Sequence, residues 1–242
     1  MTGQLTTLHV WRVPGRAVPY ALARLAVDRF RLRAMPGVRF GKLLGTGTGH
    51  GFGPADADPT RYAALAVWDD AAAAERFDAS PVGRSWRRLA RASARLDLRP
   101  VSSRGRWSGR EPFHPEGGGS RPGASGAVLA LTRARLRPSR AVGFWRAVPA
   151  VAAEVRAAPG LLARFGIGEA PVGWQGTVSV WRSVTDLVAF AYRQPEHSAA
   201  VTRTGTARWY AEELFARFAV LDVRGDRSVL DWCDTKGRDR RQ

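Results

Sequence analysis

The chain has 242 residues, of which 45% are hydrophobic and 24% charged, so it is long enough for one large domain or two small ones with a real core. Its formal charge is +17, but only Lys42 and Lys236 among its 38 basic residues are lysines, which indicates a coding bias toward arginine. We therefore expect no specific nucleic-acid partner, and the single cysteine excludes an internal disulfide and a thiolate-held metal cluster.

The first half of the chain has the pattern of a ferredoxin-like β-α-β-β-α-β unit. The Gly-rich run GTGTGHGFG follows its second strand, but no helix comes after it, so it is not a dinucleotide-binding fingerprint. Alternating and helical spacings predict strands at residues 5–13, 38–44, 61–68 and 96–101, and helices at 20–34, 70–77 and 86–94.

The second half repeats this unit. RAMPG in the first half matches RAAPG in the second, and LAVWDD matches VSVWRS. Such self-similarity indicates duplication, and each sheet would have an apolar face that it cannot bury alone. We therefore predict an α+β fold in which two duplicated ferredoxin-like units form a single-chain α+β barrel with its helices outside. The predicted second-half strands are 127–136, 161–167, 176–181 and 219–223, with helices at 140–157, after Ser183 and at 209–218.

The predicted organisation has four parts: a first half at residues 1–105, a linker at 106–125, a second half with the cofactor site at 126–225, and a disordered basic tail at 226–242. The later part of the linker is rich in Gly, Ser and Pro. Its first part carries Trp107, Arg110 and Phe113, which either close a pocket mouth or cover an edge strand.

The segment at residues 181–218 is the best candidate for chemistry. Pro195 ends one helix and can begin another, so His197 lies on a first helical turn among aromatic residues. A histidine on a helix start among aromatic residues suits an axial haem ligand better than a hydrolase. Arg84 occupies the equivalent position in the first half, where the matching chain is twelve residues shorter. The alternative is a structural or exposed histidine. A functional histidine is favoured, because this histidine occurs only in the half to which residues were added.

Several separated segments carry a family likeness: MPGVRFGKLLGTGTG, DADPTRYAALAVWDD, GRWSGREPF, GIGEAPVGWQGT, FAYRQPEHSAAVTRT and RWYAEELFARFAVL. They resemble the spheroidene monooxygenase family of acyclic carotenoid ketolases. More distantly, the duplicated unit is similar to dimeric α+β barrel haem proteins.

The resemblance implies haem b as cofactor, dioxygen and a ferredoxin-type reductant as partners, and a lipophilic substrate that is carotenoid-like or a secondary metabolite. It implies that His197 ligates the iron. Gln175 lies at the end of the predicted sheet and is the catalytic candidate, as a hydrogen-bond donor. The other residues expected to bind the cofactor are Phe190, Trp174, Trp209 and Arg193.

Two other functions stay open on the sequence alone. The first is a haem enzyme of the aldoxime-dehydratase type, which would act on an N–O substrate without net oxidation. The second is a non-catalytic binding module. The chain starts without a signal-peptide pattern and has no apolar run of membrane-spanning length, so we expect a cytoplasmic protein whose basic surface leaves peripheral membrane contact open.

Overall fold

The computed structural model describes residues 4–49, 56–115, 126–137, 139, 158–169, 174–193 and 209–233. His197, the helix predicted at 140–157 and part of the Gly-rich loop lie outside these ranges. The described strands are β1 (Leu5–Arg12), β2 (Val38–Gly47), β3 (Ala57–Trp68), β4 (Ala92–Gly105), β5 (Val128–Leu136), β6 (Leu161–Gly168), β7 (Trp174–Trp181) and β8 (Tyr210–Gly225). The helices are α1 (Val18–Arg33), α2 (Ala71–Arg76), α3 (Pro81–Leu89) and α4 (Val184–Arg193), with 3₁₀ turns at Gly15–Ala17 and Arg227–Leu230.

The eight strands form one closed antiparallel barrel in the order β1-β3-β2-β6-β7-β5-β8-β4. The two halves join where β2 meets β6 over Gly45–Gly47, and where β4 runs beside β8 over most of its length. Because the barrel closes within one chain, each half buries the inner face of its sheet against the other half. This confirms the predicted α+β barrel.

Alternate residues of every strand fill the barrel with an apolar core, which includes Leu8, Leu44, Leu96, Phe165 and Phe218. The first-half helices cover the outer face of β1, β3 and β2. Among the described residues, no helix is both long and apolar enough to cross a membrane.

The structure corrects the prediction for the last strand. Residues 210–225 are the strand β8, not a helix at 209–218 followed by a short strand. Leu214 and Phe218 are both fully buried, and residues four apart share a face in a strand as well as in a helix. The helix predicted at 86–94 likewise ends at Leu89, and Ala92 already belongs to β4.

Cross-strand registers also change the repeat alignment. His9 pairs with Arg95 and Thr132 with Phe215, so β8 follows β4 by 120 positions, while β7 follows β3 by 113. The second half is therefore seven residues longer between its third and fourth strands, not twelve. His197 lies in the sequence between these two strands.

Two segments expected outside the barrel pack against it. Trp107 and Phe113 of the predicted linker are buried in the core, where Trp107 lies 5.5 Å from Phe40 between ring centres. They cover the part of β2 that precedes Gly45, the residue at which β2 begins to pair with β6. This favours the alternative in which the segment covers an edge strand. The sequence places residues 226–233 in a disordered tail. In the structure they contribute the buried Val229 and Leu230, whose apolar side chains close one end of the barrel.

Candidate functional site

The outer face of the first-half sheet is filled by large side chains. Trp11 stacks on Trp86 with ring centres 5.3 Å apart, and Tyr62 lies 5.1 Å from the same indole. His9 packs against Phe77 at 4.4 Å. This face is therefore a solid aromatic core beneath the helices.

Part of the same face in the second half carries smaller residues, although Arg164 stands where the first half has Gly41. Leu5 pairs with Trp68 and Val128 with Trp181, and these two pairs superimpose the repeats. The strand registers then give four replacements: Thr132 for His9, Ala134 for Trp11, Gln175 for Tyr62 and Gly166 for Leu43. Each one removes bulk from the centre of the face.

The far end of the second-half face, by contrast, keeps its aromatic residues. Trp181 lies 5.2 Å from Phe190 of α4, and Leu187 and Val128 complete this buried cluster. Ser183 caps α4 by accepting a hydrogen bond from the Asp186 backbone N–H at 3.1 Å, as the sequence predicts. The cluster anchors α4 over one end of the face.

Gln175 lies on the small-residue part of this face, opposite Ala134 and Gly168. It is only 8% exposed, and its Nε2 has no hydrogen-bond partner among the described residues. A buried amide N–H₂ left without an acceptor costs about 1–3 kcal/mol. The side chain is thus placed to donate to a group that the described protein atoms do not supply.

A buried cluster of charged side chains lies inside the barrel near this end of the sheet. The charged cluster consists of Lys42, Arg133, Glu169 and Glu212. Lys42 Nζ donates to Glu169 Oε2 at 2.5 Å, and Arg133 Nη2 donates to Glu169 Oε1 at 2.8 Å. Arg133 also donates to Glu212, and Trp107 Nε1 donates to Glu169 Oε1 at 2.7 Å.

The charges of this cluster stabilise one another. Burial by itself raises the pKa of Glu169, but the hydrogen bond and charge of Lys42, with Arg133, outweigh it and hold that pKa below its usual value. Burial lowers the pKa of Lys42 in spite of Glu169. Because Glu169 directly follows Gly168, the partner of Gln175, the cluster fixes the strand end beside that amide. Sequence reasoning missed this cluster, because the partners of Glu169 lie far from it along the chain.

Two open grooves, of about 320 and 360 Å³, lie along β2 of the first half, and Lys42 of the charged cluster lines the larger one. They are bounded by Phe40, Arg39 and Arg110 and contain none of the predicted site residues. Among the described residues there is no group of three or more His, Cys, Asp or Glu side chains able to hold a metal ion.

Known proteins show what this chain is related to. It is 36% identical over 223 residues to spheroidene monooxygenase of Rhodobacter capsulatus, covering 91% of this chain and 92% of that protein. The chain belongs to the spheroidene monooxygenase family. The Rubrivivax gelatinosus member is 37% identical over 191 residues, which is 78% of this chain and 72% of that protein. No family model matches the sequence.

The barrel of this family member also has solved counterparts. An aldoxime dehydratase crystallised with butyraldoxime matches it with a TM-score of 0.56 at 13% identity, over 90% of this chain and 79% of that one. A second aldoxime dehydratase structure gives 0.54 at 12% identity, over 90% of this chain and 81% of that one. At such identities the likeness shows a shared fold alone.

The predicted site residues are only partly brought together by the described structure. Gln175 and Phe190 both belong to the second-half face, and Trp209 is buried just before β8. Trp174 begins β7 and Arg193 ends α4, but their side chains lie outside the description, as does His197 altogether. The joint role of these residues as a cofactor site stays a proposal.

Proposed function

We propose that this chain is a haem-dependent monooxygenase that oxygenates a lipophilic, carotenoid-like substrate. Its relatives are named spheroidene monooxygenases, which supports an oxygenase acting on a carotenoid. The observation that carries the cofactor assignment is the loss of bulk from the second-half face, where Ala134 and Gly166 stand in place of Trp11 and Leu43.

The described residues fit a flat, largely apolar cofactor that carries a hydrogen-bond acceptor on one side. Thr132, Ala134 and Gly166 leave the room that aromatic and aliphatic side chains fill in the first half. Trp181 and Phe190 give one border an apolar wall. Gln175 Nε2 supplies a buried donor with no described acceptor. A cofactor site that is mostly apolar, with a few fixed polar groups, has this composition.

In this proposal His197 would hold the haem iron, and Phe190, Trp174, Trp209 and Arg193 would bind the rest of the cofactor. When bound, haem supplies the activation of dioxygen, with electrons from a ferredoxin-type reductant. Gln175 Nε2 donates a hydrogen bond on the sheet side, and the surrounding apolar residues exclude water.

The absorption spectrum of the protein as purified tests the cofactor. We expect a Soret band after haem-supplemented expression, and we expect His197→Ala to lose it. His114→Ala is the matched control, because His114 is an exposed histidine outside the second-half face. A colourless wild-type protein, or an unchanged band in His197→Ala, would contradict the assignment.

The reaction class needs a separate measurement, because the fold shared with aldoxime dehydratase does not settle it. We expect turnover of an acyclic carotenoid to require dioxygen and reductant, and the oxygen of ¹⁸O₂ to enter the product. Turnover of an aldoxime by ferrous protein without dioxygen would instead favour dehydration.

A further inference from the structure

The outward face of α1 exposes large apolar side chains. Among the residues that the structure describes, five large hydrophobic side chains are exposed, and four of them are on this helix: Tyr20, Leu22, Val27 and Phe30, which are 48–57% exposed. The fifth is Leu221 on β8. One surface helix therefore carries nearly all of the exposed apolar bulk.

Three of these side chains form a stripe together with Ala23, while Leu22 lies on another side of the helix. Tyr20, Ala23, Val27 and Phe30 follow one another at intervals of three and four, so they line one side of the helix; we call them the apolar ridge. The opposite side carries Ala21 and Leu32, which pack on the sheet so closely that a Cβ on Gly41 would lie 2.9 Å from Leu32 Cγ. The apolar ridge therefore takes no part in the core of the chain.

The ridge is bordered by positive charge. Arg16, Arg29, Arg31 and Arg33 are exposed, and the Arg29 guanidinium lies 4.6 Å from the centre of the Phe30 ring. The single acid of α1, Asp28, is fully buried and bound by Arg24 at 2.8 Å and Arg31 at 3.3 Å. Neighbouring α3 has no acid and adds exposed arginines at positions 84, 87 and 88.

We propose that this face of α1 docks on the surface of an anionic lipid bilayer. A helix with an apolar stripe flanked by arginines lies in the interfacial plane, with its rings among the acyl chains and its guanidinium groups at the lipid phosphates. Two copies meeting through this face would set their arginines against each other. An acidic partner protein would match the arginines but gives no reason for three large apolar side chains of the ridge to stay exposed. The surface stands on its own, independently of the proposed function.

Vesicle flotation of the full-length protein tests the proposal. We expect wild-type protein to float with vesicles containing phosphatidylglycerol and to float much less with phosphatidylcholine alone. Tyr20→Ser/Phe30→Ser should reduce partitioning about tenfold or more, because both rings leave the acyl region. Leu221→Ser, at the exposed apolar side chain outside α1, is the control and should partition as wild type does.

The charge contribution has its own pair of variants. Arg29→Gln/Arg33→Gln should lower partitioning by about 25-fold, since each arginine near an anionic surface contributes about fivefold. Arg137→Gln/Arg227→Gln removes two exposed arginines elsewhere and should change it far less. The basic residues at 236–241 are common to all variants, so a difference between the pairs reports on α1.

Three results would overturn the proposal. One is wild-type protein that stays in the soluble fraction with anionic vesicles. Another is equal loss of partitioning in the α1 variants and their controls. The third is a dimer, or a complex with an acidic electron-transfer protein, that the Tyr20→Ser/Phe30→Ser change abolishes while vesicle binding is absent or unaltered.

Discussion

At the scale of single residues, Arg133 is the side chain on which the charged cluster depends. It is 1% exposed, and it bonds Glu169 and Glu212 at once. Removing one partner of a buried ionic group leaves uncompensated charge, so Arg133→Met should lower the free energy of unfolding by about 3–5 kcal/mol. Urea unfolding near neutral pH measures this. Arg106→Met is the control, because Arg106 and Glu111 are both 64% exposed and their pair should contribute under about 1 kcal/mol. Equal losses in the two variants would show that the cluster adds no special stability.

His9 is a residue whose environment makes stability depend on pH. Burial, together with the charges of Arg95 and Arg224, lowers the pKa of His9 from 6.5 to about 3. Between those values the unfolded chain binds a proton that the folded chain does not, so stability falls as the pH falls below 6.5. From about pH 7 to about pH 5 the loss should be about 2 kcal/mol. His9→Phe, which suits the aromatic surroundings, should flatten this dependence in urea unfolding; an unchanged slope would mean that other groups cause it.

At the scale of elements, the two outer faces of the sheet test whether space has been kept for a cofactor. Ala134→Trp restores on β5 the residue type that Trp11 has on β1. We expect it to cut the haem bound per chain at least about tenfold, while the added bulk costs about 1–3 kcal/mol of stability. Soret absorbance per protein, with urea unfolding, measures both. Ala72→Trp places the same side chain on an exposed position of α2 and should keep the haem. Full haem content in Ala134→Trp would show that the cofactor lies elsewhere.

At the scale of the whole molecule, closure of the barrel in one chain allows the halves to diverge. The first half has filled its outer face with aromatic side chains, whereas the described part of the second half has them only at the end of the face near Trp181 and Phe190. We therefore expect one haem per chain, bound by the second half. A pyridine haemochromogen assay against protein concentration should give a ratio near one. A ratio near two, or one that Trp11→Ala but not His197→Ala lowers, would contradict this division of roles.

Much of the architecture was predictable from the sequence because it depends on local patterns. The repeats RAMPG and RAAPG, and the strand ends at Trp68 and Trp181, show the duplication directly. Alternation and helical spacing located most strands and helices. The family likeness could also be recognised from the sequence, because it rests on whole segments of the chain. The largest exception was β8, where Leu214 and Phe218 fit either periodicity, and only pairing with β4 and β5 decides for a strand.

The sequence by itself therefore determined the duplicated α+β barrel and the family, while His197 as iron ligand stays a prediction. Only the tertiary structure decided which residues meet. Lys42 and Glu169 are 127 positions apart and form an ion pair because β2 and β6 are neighbours in the closed barrel. The reduced bulk at Ala134, Gly166 and Gln175 likewise becomes a single face only through the registers of three strands. Such contacts depend on strand order, which no local pattern of residues encodes.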